Sequence, residues 1–146
     1  MAQAYNKFNA WVQNVQNGGV AMATDTLKVM LSNTAPVATN SLYGDISGNE
    51  LASGNGYTTG GASVTVTANT QTGGTYTLAA NQVQWTASAN MGPFRYSVIY
   101  DSTATSPLKP LIAWWDYGSA VNLIANETFT VQFNSLAANG TIYTLT

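Results

Sequence analysis

From residue 24 to the C-terminus, except across residues 34–63, apolar residues recur at every second position, and that alternation limits what this chain can become more than any motif does. A period of two puts successive side chains on opposite faces of an extended strand. Leu27, Val29 and Leu31 alternate with Thr26, Lys28 and Met30, and Val64, Val66 and Ala68 with Thr65 and Thr67. Tyr76 and Leu78 follow, then Val83 and Trp85, then Phe94, Tyr96, Val98 and Tyr100. Val121 and Leu123, the set Phe129, Val131 and Phe133, and finally Tyr143 and Leu145 complete the series. Thr, Val and aromatic residues suit a half-buried pleated surface, so propensity agrees with pattern. Eight or so short strands punctuated by Gly and Asn predict a mainly β fold, with antiparallel sheets arranged as a β-sandwich or jelly roll.

One segment reads with a helical period instead. In residues 4–16, Tyr5, Phe8, Trp11, Val12 and Val15 recur at three- and four-residue steps, and Gly18-Gly19 follows as a stop. The apolar stripe predicts a short amphipathic helix that packs on the domain's own sheet or docks on a neighbouring subunit. The expected organisation is one domain over 1–146: helix 4–16, a β-sandwich over 24–146, and a long loop at 34–63. Pro36, Asn40, Gly44, Gly48, Gly54, Gly56, Gly60 and Gly61 break every period in that loop. A structureless stretch this long is unusual in a compact domain, so it is either a functional loop or it conceals short strands near 42–46 and 57–59.

One turn allows a test of register. A two-residue loop at Gly73-Gly74 pairs Ala68 with Ala79 and splits the apolar residues of the hairpin between two faces. A three-residue loop at 72–74 pairs Ala68 with Leu78 and gathers them on one face. Since a one-residue slip flips a strand's whole apolar set, the sequence predicts the three-residue loop with a bulge, or an equivalent.

Composition decides which chemistries are open. Only ten of 146 side chains are charged, four Lys or Arg and six Asp or Glu, and there is no His and no Cys. Thr, Asn, Gly and Ser make up 59 residues, yet 16 aromatics and the scarcity of charge exclude a disordered chain. Zero Cys removes disulfides and thiolate chemistry, and zero His removes the usual general base and the commonest transition-metal ligand. Four basic residues are too few to neutralise a nucleic-acid backbone or an anionic membrane surface, so neither is an expected partner. The start, Met1-Ala2-Gln3-Ala4-Tyr5-Asn6-Lys7, lacks the basic and apolar regions of a signal peptide, and no apolar run is long enough to span a membrane. Synthesis and first folding in a cytoplasm are expected. With no His, folding and assembly are also expected to be nearly independent of pH between about 5 and 8, a strongly raised carboxylate being the first suspect for any exception.

No catalytic, cofactor-binding or metal-binding set emerges. The acids Asp25, Asp45, Glu50, Asp101, Asp116 and Glu127 sit near strand ends or in loops, and no spacing selects two of them as a glycosidase pair. The oxygen-rich run Asp45-Ile46-Ser47-Gly48-Asn49-Glu50 departs from EF-hand spacing and reads as a turn rather than a loose calcium loop. Ser106-Pro107-Leu108-Lys109 matches Ser-x-x-Lys, but a Pro-flanked loop does not place the two side chains one helical turn apart. Asn126-Glu127-Thr128 and Asn139-Gly140-Thr141 match the glycosylation sequon, as chance predicts in a chain with 15 Asn and 20 Thr.

The run Leu111-Ile112-Ala113-Trp114-Trp115-Asp116-Tyr117 is apolar on both faces. It is either a central strand buried on both sides or a strand with one face turned to another subunit or a ligand. Tyr5, Phe8, Trp11, Trp114, Trp115 and Tyr117 are therefore the candidate interface residues.

Several segments carry a family resemblance: Asp25-Thr26-Leu27-Lys28-Val29 leading to Asn33-Thr34-Ala35-Pro36, Gly54-Asn55-Gly56-Tyr57-Thr58, Gly92-Pro93-Phe94-Arg95-Tyr96, Pro107-Leu108-Lys109-Pro110-Leu111-Ile112, and Trp114-Trp115-Asp116-Tyr117-Gly118. Together they resemble small virion structural proteins of tailed bacteriophages over most of the chain. The resemblance implies no enzyme activity and no cofactor. By analogy with β-rich, trimeric capsid cement or decoration proteins of this size, it implies a homo-oligomer on the capsid surface that binds and stabilises major capsid protein subunits. The alternative is a tail-tip or fibre module that recognises a host glycan through exposed aromatics.

Overall fold

The computed structural model describes residues 4–133 and 139–146, so the first three residues of the expected 1–146 domain and residues 134–138 lie outside the described set. The chain is mainly β, with antiparallel sheets and one α-helix. Its strands are β1 (Asn6–Lys7), β2 (Leu27–Ser32), β3 (Ala62–Ser63), β4 (Val66–Thr72), β5 (Thr75–Asn81), β6 (Val83–Thr86), β7 (Met91–Asp101), β8 (Leu111–Leu123), β9 (Thr128–Val131) and β10 (Asn139–Leu145). They form a five-stranded sheet in the order β1-β8-β7-β2-β3, a three-stranded sheet β10-β5-β4, and the pair β6-β9. Residues from all three sheets enter one hydrophobic core.

The centre of the large sheet is buried on both faces. Val98, Ile99, Met30, Val29, Ile112 and Ala113 are all fully buried. Strand β2 therefore buries Met30 and Ser32 as well as the expected Leu27, Val29 and Leu31, because neither side of this ladder meets solvent. Trp114 packs on Phe8 with ring centroids 4.5 Å apart, and Trp115 packs on Phe133 at 5.6 Å. The run 111–117 is thus a central strand for most of its length, and it continues through 121–123 as the single long β8.

The helix is shorter than the stripe suggested. It spans Asn9–Gln16 (α1), not 4–16. Asn6 and Lys7 are extended and pair with Trp114 and Ala113 at the edge of β8. An open sheet edge holds those residues by backbone hydrogen bonds that a helix would have made internally. Tyr5 and Phe8 keep the apolar spacing on either side of them, so sequence periodicity could not tell the two states apart.

The hairpin β4–β5 closes through the two-residue Gly73-Gly74 loop, with both glycines at positive φ (57° and 87°) and Thr72 opposite Thr75. The three-residue loop expected from parity is not formed. Two glycines satisfy the positive-φ demand of the tight turn at no steric cost, and the mismatch is absorbed farther up the strand. There the register shifts between Val66 and Ala68, so Val66 lies opposite Ala80. That bulge at Thr67 returns Val66 to the face of the buried Leu78 and Ala80 and leaves Ala68 on the other face.

Of the two readings of segment 34–63, concealed strands near 42–46 and 57–59 are not formed. The segment contains two 3-10 turns, Tyr43–Asp45 and Ser47–Asn49, and isolated bridges Ser32–Glu50, Leu42–Pro110 and Gly54–Tyr57. The Glu50 carboxylate gathers it by accepting the Tyr43 hydroxyl, the Tyr57 hydroxyl at 2.6 Å and the Gly60 N–H at 2.7 Å. The Tyr100 hydroxyl donates to the Gly60 carbonyl at 2.7 Å, and the Tyr43 ring stacks on Tyr100 at 4.7 Å. The segment thereby lies over the central sheet. Gly61, at φ 73°, has no room for a Cβ against the Val29 carbonyl, so β3 approaches β2 only through a glycine here.

Glu50→Ala removes the acceptor from two tyrosines and a backbone amide, and Tyr57 is only 3% exposed. Urea denaturation is expected to show a loss of about 2 kcal/mol or more. Glu127→Ala, whose carboxylate accepts the Ile124 N–H in an exposed turn, is expected to cost under about 1 kcal/mol.

Candidate interaction surface

The geometry of the N-terminal segment follows from Phe8. This residue is fully buried, takes the extended conformation (φ −78°, ψ 145°) at the start of α1, and donates its N–H to the Ile112 carbonyl at 3.2 Å. It pins the junction between β1 and α1, so α1 must cross the sheet edge with Trp11 facing inward. Trp11 is 4% exposed and meets Tyr143 of β10 edge-on at 5.5 Å. Val12, one position on, turns outward and is 47% exposed.

Between α1, β1 and the end of β10 lies a cleft of about 250 Å3, lined by Tyr5, Trp11, Val12, Val15, Tyr143 and Leu145 among others. Lys7 is the charged residue in its wall. Tyr5 and Leu145 are exposed at its rim, and burial of the Tyr5 hydroxyl pushes its pKa to about 12. Burial likewise pushes the Tyr143 hydroxyl up. Neither group carries charge near neutral pH. The cleft can therefore hold an apolar side chain or a flat ring, and it offers one cation at its edge. No acid lines it.

The six candidate interface residues divide. Phe8, Trp11 and Trp115 belong to the chain's own core, and Trp114 is half-buried against Phe8. Tyr5 and Tyr117 remain at the surface. Only Tyr5 and Trp11 meet in the cleft. Its other wall, Tyr143 and Leu145, comes from the last strand, which the sequence marked as an ordinary alternating strand. Leu145 shares the parity of Tyr143 yet is exposed, so an apolar residue here outruns the core. Parity alone carries no sign of where a core stops.

Tyr117 lies two residues beyond Trp115 on β8, its ring edge-on to Phe129 at 5.7 Å. Beside it Arg95 grips Asp116 through two hydrogen bonds of 2.7 and 2.8 Å and lies over the Tyr96 ring. The Arg95 guanidinium and the Gly118 N–H hold the Asp116 carboxyl below the usual range. The pair is more than a third exposed, so solvent screens it.

The remaining acids are engaged in local structure. Asp45 accepts the Ser41 and Leu42 N–H groups, which lower its pKa. Burial, then the bond to Glu50, raises the hydroxyl pKa of Tyr43 and of Tyr57. In the run 45–50 the two carboxylates thus face separate protein donors. Among the described residues no group of three or more His, Cys, Asp or Glu is placed to hold a metal ion. Lys109 of the Ser-x-x-Lys match lies over the Tyr43 ring. No helix among the described residues is long and apolar enough to cross a membrane.

Comparison with protein-family models, with curated proteins and with solved structures finds no match to this chain.

Trp11→Ala is expected to cost about 3–5 kcal/mol in urea denaturation, because a buried aromatic leaves a cavity beneath α1. Val12→Ser, at an exposed site in the same helix, is expected to change stability by less than about 0.5 kcal/mol. Equal effects would mean that α1 does not face the sheet as described.

Proposed function

We propose that the chain is a non-enzymatic structural protein of a bacteriophage particle, a homo-oligomer with a trimer favoured, that decorates the capsid surface and stabilises the shell by binding major capsid protein subunits. The observation that carries the reading is the uncovered apolar rim Tyr5, Val12 and Leu145 around a cleft with one charged residue. Removing charge from water costs several kcal/mol unless it is paired, and this surface has little charge to remove. Apolar contacts are also insensitive to salt, whereas exposed charge contacts are screened over about 8 Å at physiological ionic strength. The resemblance to phage virion proteins supplies the particle and the shell partner.

A second reading has its own observation. Tyr117, Tyr96 and the Arg95–Asp116 pair put aromatic rings beside paired polar groups at the surface, a composition suited to stacking on a host glycan. Copy number separates the two: hundreds per particle on the shell fit decoration, and a handful at the tail fit a binding module.

Attachment is expected to persist in molar sodium chloride and to weaken in urea, as read by pelleting particles after incubation. Release by salt alone, with the shell intact, would overturn the apolar reading. Val12→Asp is expected to shift the sedimenting species of the free protein from oligomer to monomer with little change in melting temperature. No turnover of cell-wall or capsular glycan is expected.

A further inference from the structure

Asp101 is fully buried at the end of β7, opposite Leu27 of β2. Its Oδ1 accepts three donors: the Thr103 N–H at 2.9 Å, the Thr103 hydroxyl at 3.0 Å and the Ala104 N–H at 3.0 Å. Its Oδ2 is buried and has no donor. An ionised carboxylate oxygen left this way in a dry site is costly. The side chain in contact with it is another acid, Asp25. Asp25 is held there by its own chain: one of its oxygens accepts the Ala21 N–H, the Thr26 N–H donates to the Thr103 hydroxyl at 3.0 Å, and the Thr26 carbonyl accepts the Ser102 N–H at 2.9 Å.

We propose that Asp25 and Asp101 share one proton and so form an acid-closed latch between the exit of α1, residues 18–26, and the β7–β8 connection, residues 102–110. Two carboxyl oxygens this close cannot both be charged without a proton or a cation between them. Among the described residues no counter-charge stands by. From β2, Lys28 reaches the other side of the sheet beside Gly60. From the connection, Lys109 lies over Tyr43. From β7, the Tyr100 hydroxyl is committed to the Gly60 carbonyl. Among the described residues the ion pair is Arg95–Asp116, on another part of the surface. A calcium ion needs six to eight oxygens, and this site offers two uncommitted carboxylate oxygens, one on the buried Asp101 and one on the half-buried Asp25. Burial first, then the contact with Asp25, raises the Asp101 carboxyl above its ordinary range.

The consequence is local and has a definite sign. The folded state holds a proton that the unfolded chain releases at ordinary carboxylate pH. Stability from the latch is therefore complete below about pH 4 and is lost as the pH rises through the raised value of the Asp101 carboxyl. Above it, two adjacent carboxylates repel, and the connection loosens where Pro107 abuts Gly19 at the end of α1. This is a specific exception to the pH independence that the absence of His suggests, and it does not depend on what the molecular surface binds.

The test is a carbon-13 titration of the Asp101 side-chain carboxyl in the full-length protein, with thermal melts of the wild type, Asp101→Asn and Asp25→Asn across the same range. The carboxyl midpoint is expected above the ordinary carboxylate range. The wild-type melting temperature is expected to fall by several degrees as the proton is lost, roughly 3 °C or more. Both variants are expected to lose that slope, because an amide donates where the shared proton did. If Asp101→Asn does not fold, Asp25→Asn and the titration decide. An ordinary midpoint, a slope that survives in the folded variants, or a calcium-dependent rise in wild-type melting temperature that both variants abolish would overturn the proposal.

Discussion

Strand β7 is buried on both faces while it pairs with β2 on one side and β8 on the other, and the rest of the chain is arranged to cover it. Fully buried Val98 and Ile99 point to opposite sides of the same sheet. Each side needs its own cover, because apolar area left in water forgoes about 25 cal/mol per Å2. On one side the cover is Phe8 against Trp114 and Tyr43 against Tyr100. On the other it includes Phe133 against Trp115. The N-terminal segment, the irregular stretch 34–63 and the smaller sheets are thus all answers to one demand.

Covering a sheet with irregular chain raises a second demand, since such chain brings polar groups that no ladder satisfies. A charge-poor sequence meets it with a few carboxylates, each used as a multiple acceptor. Glu50 takes three donors and ties 43, 57 and 60 together. Asp45 takes two backbone amides, and Asp101 takes three donors on one oxygen. Five of the six acids therefore organise turns or loops or, as Asp101 does, close a strand end against its neighbour. The sixth, Asp116, pairs with Arg95. The apolar cleft at α1 and β10 is left with Lys7 as its charged group, and that composition links the way the chain folds to the kind of surface it offers.

The two-residue period identified the strands because the pleat imposes it wherever a sheet has a buried face, and Leu27, Leu78, Trp85 and Val131 are buried as that pattern requires. The three-residue rhythm from Tyr5 to Val15 identified a helix but not its start. In sequence the rhythm runs on through residues that the edge of β8 holds extended. Segment 34–63 gave no periodic signal, because its order comes from side-chain bonds to Glu50 and Tyr100 rather than from a repeated backbone state. Four of the cleft residues, Tyr5, Trp11, Val12 and Val15, were legible as members of an apolar stripe, and Tyr143 and Leu145 were not.

Local chemistry is what the sequence determined by itself: extended or helical preference, a chain reversal around Gly73 and Gly74 though not its length, a chain with no His, no Cys and little charge to expose. Those follow from sterics and side-chain type, which each residue carries with it. Tertiary structure alone decided the parity of β4, corrected by a bulge at Thr67 rather than at the turn. It decided that Phe8, Trp11 and Trp115 lie inside while Tyr5 and Tyr117 stay out. It also decided that Asp25 and Asp101, far apart in the chain, meet where β2 and β7 end together. Each of these depends on which surfaces oppose one another across the sheet, and distances between faces are not a property of any local stretch of sequence.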